Sequence, residues 1–236
     1  MDRNELLTAL QYTNPCQRNW DHSRTIPDED VRLLLDAAKY APTKQNETHY
    51  KVYWSTDRTK INEIYSRTKF FSVHNSETPV DSKGEIPDEY NITNPQVDAN
   101  MIIALCDDWD QETCRALTHY VVDAENIDED PYTHIIKSRI MDIGVGIAIG
   151  QVLLTANLLG YRTGCCSAFR ETEVLGVENT FCKTIIGIGY PKPDTHRQMH
   201  PDVTNAEIII ENYRNGALDE NWLFPSNKKK IEIIEI

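Results

Sequence analysis

A few groups of residues have the types and spacing to do chemistry. Gly144-Val145-Gly146-Ile147-Ala148-Ile149-Gly150 offers closely spaced glycines of the kind that let a phosphate approach the backbone. A dinucleotide turn needs a strand before its glycines and an acid about twenty residues later. Here the preceding residues read as helix and Gly164 to Ala168 contains no acid, so the glycines are assigned to helix packing. His196 and His200 stand four apart, but Pro201 interrupts any helix and no third ligand lies nearby, so no metal centre is expected. Cys165-Cys166 invites a redox reading, but adjacent cysteines close only a strained disulfide and the apolar helix before them implies burial. They read as small residues of a strand. Neither H-E-x-x-H nor G-x-S-x-G occurs, which removes the commonest hydrolase signatures, and no catalytic side chain stands out. These residues alone leave a globular domain with an anion-binding opportunity.

The elements that would position such a site follow from periodicity and punctuation. Pro27 and the acids Asp28, Glu29 and Asp30 open a helix whose apolar residues Val31, Leu34, Leu35 and Ala38 recur at helical spacing up to Pro42. Tyr50 to Trp54 is rich in strand formers, and Asp57 is placed to cap a helix through Tyr65. Residues 69–93 lack periodicity and read as an inserted surface excursion. Met101 to Cys106 is a buried strand, and a helix is expected from Asp110 to about Asn126. His134 to Leu159 is the strongest helix, apolar nearly all round from Ile143 and ended by Gly160. Strands are expected at Arg162 to Ser167 and Thr184 to Gly189, with a short helix around Glu171 to Leu175. Further β-prone pieces lie at Glu207 to Ile210 and Lys230 to Ile236.

Composition narrows the function. With 24 Lys and Arg against 37 Asp and Glu, the net charge is -13, and the only basic run is Lys228 to Lys230. Such a surface repels phosphate backbones, so no nucleic-acid partner is expected. The apolar stretch Ile143 to Leu159 contains Gln151, Thr155 and Asn157 and reads as a core helix, with no membrane partner expected. The first twenty residues are charged from Asp2 and carry no apolar leader, and the six cysteines form no C-x-x-C pair. A cytoplasmic protein with reduced thiols is expected.

The order of segments carries a resemblance. Cys16-Gln17-Arg18-Asn19-Trp20-Asp21, then Ile26-Pro27, a helix, and Ala41-Pro42-Thr43-Lys44-Gln45-Asn46-Glu47-Thr48-His49-Tyr50 resemble the opening of the FMN-dependent nitroreductase family. Asp142-Ile143-Gly144 through Leu158-Leu159-Gly160-Tyr161 to Cys166-Ser167-Ala168-Phe169, and then Ile186-Gly187-Ile188-Gly189-Tyr190-Pro191, continue it in the same order. The resemblance implies an α+β fold, a central mainly antiparallel sheet flanked by helices, in an interleaved homodimer with FMN at its interface. One domain covers the chain, with the insertion at about 69–93 and a C-terminal extension from about residue 213.

By the same resemblance, Cys16 takes the place of a serine beside the cofactor, and Arg18 reaches the ribityl chain or the pyrimidine edge of the flavin. Arg197 is a phosphate ligand. Pro42, Thr43, Lys44 and Asn46 form the loop that the partner subunit presents to the flavin. Ser167 and Ala168 offer backbone N–H groups near flavin N5, and Asn94 and Gln96 are further ring contacts. The implied activity is transfer of electrons from NADH or NADPH through FMN to a small-molecule acceptor, such as a nitroaromatic or a quinone, by a ping-pong scheme. The same fold also supports reductive dehalogenation or modification of the flavin ring. Asn14, where the family carries its first arginine, and His49-Tyr50 in place of Pro-Trp leave room for a catalytically silent flavin-binding dimer.

Overall fold

The computed structural model describes residues 2–13, 16–46, 50–68, 71–72, 91–107, 131–169, 174–178 and 180–193. In chain order these form α1 (Arg3–Thr13), α2 (Asp28–Lys39), a 3-10 turn (Lys44–Asn46), β1 (Tyr50–Ser55), α3 (Arg58–Ser66), β2 (Phe71–Ser72), β3 (Asn91–Ile92), β4 (Met101–Asp107), α4 (Pro131–Leu158), β5 (Arg162–Cys166) and β6 (Cys182–Gly189). The expected helix at 110–126 and the strands at 207–210 and 230–236 lie outside the described residues. So do the C-terminal extension and most of the 69–93 insertion.

Local chemistry explains where the helices start. Asp28, Glu29 and Asp30 occupy the first turn of α2 and Lys39 its last, both matching the helix dipole. Asp57 caps α3, its carboxylate accepting the Thr59 N–H at 2.8 Å. The sequence reading omits α1, because its Leu7 and Leu10 point to solvent and leave no apolar stripe. A capping box starts it instead: Asn4 N–H donates to Asp2 Oδ1 at 3.3 Å, and Asp2 N–H donates to Glu5 Oε2 at 2.8 Å. Gly160, at φ 89°, ends the turn after α4 in a conformation that a side chain would strain. Val174 and Leu175, at the end of the expected 171–175 helix, form a turn.

β1, β4, β6 and β5 lie in that order in a four-stranded sheet, every pairing antiparallel. Its two faces are covered by different elements. Met101, Ile103, Leu105, Ile186 and Ile188 pack against α2 and α4 through Leu34, Ala38, Val145, Ala148 and Val152. Ile102, Ala104 and Ile185 pack against Ile61 and Ile64 of α3 and against Val97, Val174 and Leu175. With both faces covered, β4 has no polar side, which is why it reads as an unbroken apolar run. Each fully buried Ile or Leu contributes on the order of 1.5 to 3 kcal/mol.

The turn at 93–100 lies flat on the second face because β5 and β6 offer glycines there. A Cβ on Gly187 would overlap the Gln96 carbonyl oxygen, and one on Gly164 would come within 2.7 Å of Gln17 O. A Cβ on Gly189 would collide with the Asn100 side chain. Asn100 joins three segments: its amide donates to Asp21 O and Arg24 O, each at 2.8 Å, and its Oδ1 accepts the Tyr190 N–H at 3.1 Å. Arg58 of α3 clamps the same turn, donating to Ala99 O at 3.0 Å and to Asp98 Oδ1 at 2.5 Å. Replacing Asn100 by Ala removes the contacts to Asp21, Arg24 and Tyr190 at once, so unfolding in urea should lose about 2 kcal/mol. A variant that unfolds with the parent's midpoint would show that the turn holds without them.

Candidate functional site

Residues 16–21 run past the outer edge of β5 and the end of β6. Gln17 N–H donates to Thr163 O at 2.8 Å, Asp21 N–H to Tyr190 O at 2.9 Å and Lys192 N–H to Asn19 O at 3.0 Å. The buried Gln17 side chain donates to Asn19 O, and Trp20 Nε1 donates to Pro95 O at 2.7 Å. The segment is thus fixed by main-chain bonds on both sides of Arg18. The Arg18 Nε is shut off from solvent. Burial draws the guanidinium's pKa down, and Cys16, close enough to act on it by charge, works in the opposite direction. An arginine starts so far above neutral that it stays charged. The segment therefore holds a partly desolvated positive charge beside β5.

Ser167 and Ala168 follow β5 directly, Ser167 exposed and Ala168 half-buried. Cys165 and Cys166 just before them point to opposite faces of the sheet, Cys165 packing toward α4 and Cys166 toward α3. Burial pushes their thiols up to about 12 and about 11, so both stay protonated and neither is an activated nucleophile. Asn94 and Gln96 sit in the turn next to this edge. Asn94 ties the turn to the end of α3 and to itself: its N–H donates to Thr68 Oγ1 at 2.9 Å, and its Oδ1 accepts the Gln96 N–H at 3.1 Å. The Gln96 side chain covers Gly164.

Pro42, Thr43, Lys44 and Asn46 lie elsewhere, in the loop from α2 into β1. Ala41 and Tyr50 are buried at its two ends, with the Tyr50 hydroxyl donating to Ala38 O at 2.7 Å. Thr43 Cγ2 is 3.7 Å from where a Gly144 Cβ would stand, so the loop rests on the first half of α4. Asn46 adopts φ 58°, a left-handed conformation that asparagine tolerates better than most residues. Beside the loop, a groove of about 690 Å³ is lined by Leu35, Lys39, Tyr40, Tyr50 and Trp54 among others.

The structure therefore brings Cys16, Arg18, Asn94, Gln96, Ser167 and Ala168 to the β5 edge, and Pro42, Thr43, Lys44 and Asn46 to the β1 edge. Three strand spacings, about 14 Å, separate the two edges. Arg197, His196 and His200 lie outside the described residues, among which no cluster of metal-ligating side chains occurs. The sequence reading overlooked Asn100 and Gln17, which hold the Arg18 segment in place. The available signal was polar residues set against the ends of buried strands. By length and composition Arg139–Leu158 could cross a membrane, but Met141, Val145, Ala148, Val152 and Ala156 on it are buried in the core.

Comparison with known proteins bears on this arrangement as a whole. No curated protein matches the sequence. Among solved structures, the fold is similar to that of a nitroreductase family protein from Streptococcus pneumoniae TIGR4, at 17% identity and TM-score 0.52, covering 86% of this chain and 97% of that one. It is similar to a nitroreductase with bound FMN from Bacteroides fragilis, at 17% identity and TM-score 0.52, covering 82% and 91%. It is also similar to a protein assigned as an NAD(P)H:FMN oxidoreductase from Staphylococcus epidermidis, at 15% identity and TM-score 0.56, covering 87% and 95%. The model of the nitroreductase family matches residues 16–190, a span that runs from the Arg18 segment to the end of β6, and the chain belongs to that family.

Proposed function

We propose that the chain is an FMN-dependent oxidoreductase that takes electrons from NADH or NADPH and passes them to a small-molecule acceptor such as a nitroaromatic or quinone, working as an interleaved homodimer. The observation that carries this reading is the separation of the two residue groups. Arg18, Ser167 and Ala168 lie by β5 and Thr43, Lys44 and Asn46 in the loop before β1, on opposite edges of the four-stranded sheet, which favours a site shared between two copies. A second copy related by a two-fold axis supplies the missing loop to each Arg18 edge. α4 offers the surface for it. Ile143 is 55% exposed and Ile147 37%, and a Cβ on Gly146 or Gly150 would meet nothing within 4 Å. That stripe is apolar and lets another backbone approach closely.

The residues fit the proposed cofactor. When bound, FMN would supply the two-electron chemistry of the proposed reaction. Arg18 sets a positive charge against the anionic parts of the flavin, main-chain N–H groups at Ser167 and Ala168 can donate to its ring, and the partner's loop closes the site. Cys16 and Arg197 complete the set of candidate ligands, with Arg197 taking the phosphate.

Arg18→Ala should weaken FMN binding by about tenfold or more, the effect of losing one charge-assisted contact of roughly 1.5 to 3 kcal/mol. A fluorescence titration with unchanged affinity would remove Arg18 from the site. Light scattering should give twice the 27.1 kDa chain mass. The double change Ile143→Glu with Ile147→Glu should yield a monomer that no longer retains FMN. A folded, flavin-loaded monomer would end the shared-site reading. One cavity that must admit donor and acceptor in turn predicts parallel double-reciprocal lines over a grid of NAD(P)H and quinone concentrations. Intersecting lines would require a separate donor site, and a bound flavin that neither nicotinamide bleaches would favour the silent flavin-binding dimer.

A further inference from the structure

Two buried thiols outside the proposed flavin site face each other across the sheet. β4 and β6 pair with Leu105 opposite Thr184, and the next pair along is Cys106 opposite Cys182. Lys183 is the extra residue of a β-bulge, and its ammonium turns outward to Asp107 at 3.6 Å and Asp142 at 3.7 Å. In a regular ladder Lys183 would stand opposite Cys106; the bulge puts Cys182 there instead. The neighbouring pair is joined by a hydrogen bond from Asp107 N–H to Phe181 O at 2.8 Å. Cys106 and Cys182 therefore occupy a non-hydrogen-bonded position at the bulge; in a regular ladder such positions bring Cα atoms to about 4.5 Å and hold side chains closest. That spacing lies inside the range of about 4.4 to 6.8 Å that a disulfide spans. Both residues are buried, at 0% and 2% exposure, in the same cluster, and both are free thiols.

We propose that Cys106 and Cys182 are a peroxide-sensitive dithiol that closes to a disulfide across the β4–β6 bulge. The Cys182 thiol donates to Thr184 O at 3.5 Å, and the neighbouring Cys106 side chain together with burial pushes the Cys182 thiol up. The oxidant is hydrogen peroxide. The Cys106 sulfur attacks one peroxide oxygen, the O–O bond breaks, and the product is a sulfenic acid at Cys106 plus water. Cys182 then attacks that sulfur, the S–O bond breaks, and the hydroxyl leaves as water with the Cys182 proton. Two thiols have lost two electrons and two protons, and the peroxide has become two waters. Cys106 is the last residue but one of β4 and Cys182 the first of β6, beside the exposed Phe181, so opening at this end of the sheet admits the oxidant without global unfolding. Cys165 points to the opposite face of the sheet, while Cys166 shares the face and the cluster of the pair and is the competing partner that a disulfide map distinguishes.

The test is a disulfide map of the full chain. Protein is treated with hydrogen peroxide, its remaining thiols are blocked with N-ethylmaleimide under denaturing conditions, and it is digested with trypsin and a protease that cleaves before aspartate. These enzymes place Cys16, Cys106, Cys114, Cys182 and the Cys165-Cys166 pair on separate peptides. The expected product is a Cys106–Cys182 linked peptide lighter by about 2 Da than its two thiol peptides, reversed by dithiothreitol and absent from Cys182→Ala. Labelling of both Cys106 and Cys182 after other cysteines have oxidised would overturn the proposal, as would a bridge mapped to another pair or irreversible sulfinic acid at Cys106. If Cys182→Ala does not fold, the map of the unaltered chain decides alone.

Discussion

The close contact between the turn at 93–100 and the glycines of β5 and β6 governs much of the rest of the structure. Glycine in a strand costs roughly 0.5 to 1 kcal/mol relative to alanine, and three of them sit at or beside this contact. The cost is offset because a Cβ at Gly187 would lift the turn away. Lifting it would expose Val97 and Ala99 and break the contacts of Asn100 to Asp21, Arg24 and Tyr190. Each hydrogen bond is worth on the order of 1 kcal/mol, so the contact wins over the propensity. Trp20 bonds to Pro95 in the same turn, and Trp20 stands two residues from Arg18. The position of the half-buried guanidinium is therefore inherited from the absence of side chains on the sheet.

The same sheet separates the two halves of the proposed site, and α4 reconciles them. One side of α4 buries Met141, Val145, Ala148, Val152 and Ala156 against the sheet and α2. Its other side presents Ile143, Gly146, Ile147 and Gly150 outward. From Ile143 the helix is apolar nearly all round, and in the proposed dimer its outward side would face a second copy. The loop carrying Thr43 rests on Gly144, between those two sides. In the proposed dimer the helix that buries the interface also fixes the loop offered across it, so assembly and site formation are one event.

Much of the fold was legible in the sequence because burial and caps act locally. The Asp57 cap, the acids ahead of α2, the apolar run of β4 and the Gly160 stop each left a mark within a few residues of the element they define. Two features left no such mark. α1 is held by a capping box and one buried alanine while its leucines face outward, so periodicity misses it. The bulge at Lys183 depends on a residue in β6 skipping its partner in β4, a register choice no single segment records. The candidate site was legible only as an order of motifs. Arg18 alone reads as a surface charge; the bonds of Gln17, Asn19 and Trp20 to segments far along the chain make it part of a fixed, partly buried edge.

The charge balance bears on the proposed cofactor as well. A chain with a net charge of -13 exerts a net repulsion on an anionic ligand. That repulsion acts through water and salt and fades beyond about 8 Å at physiological ionic strength. A guanidinium in contact acts over about 4 Å in a medium of effective dielectric near 20, where one pair of unit charges interacts by about 4 kcal/mol. Desolvation of Arg18 costs part of that, which is what its lowered pKa records. The near charge prevails because distance and screening weaken the others first. In the proposed site the acidic surface then opposes approach of the anionic cofactor and Arg18 opposes its departure. Raising the salt concentration weakens the first effect more than the second.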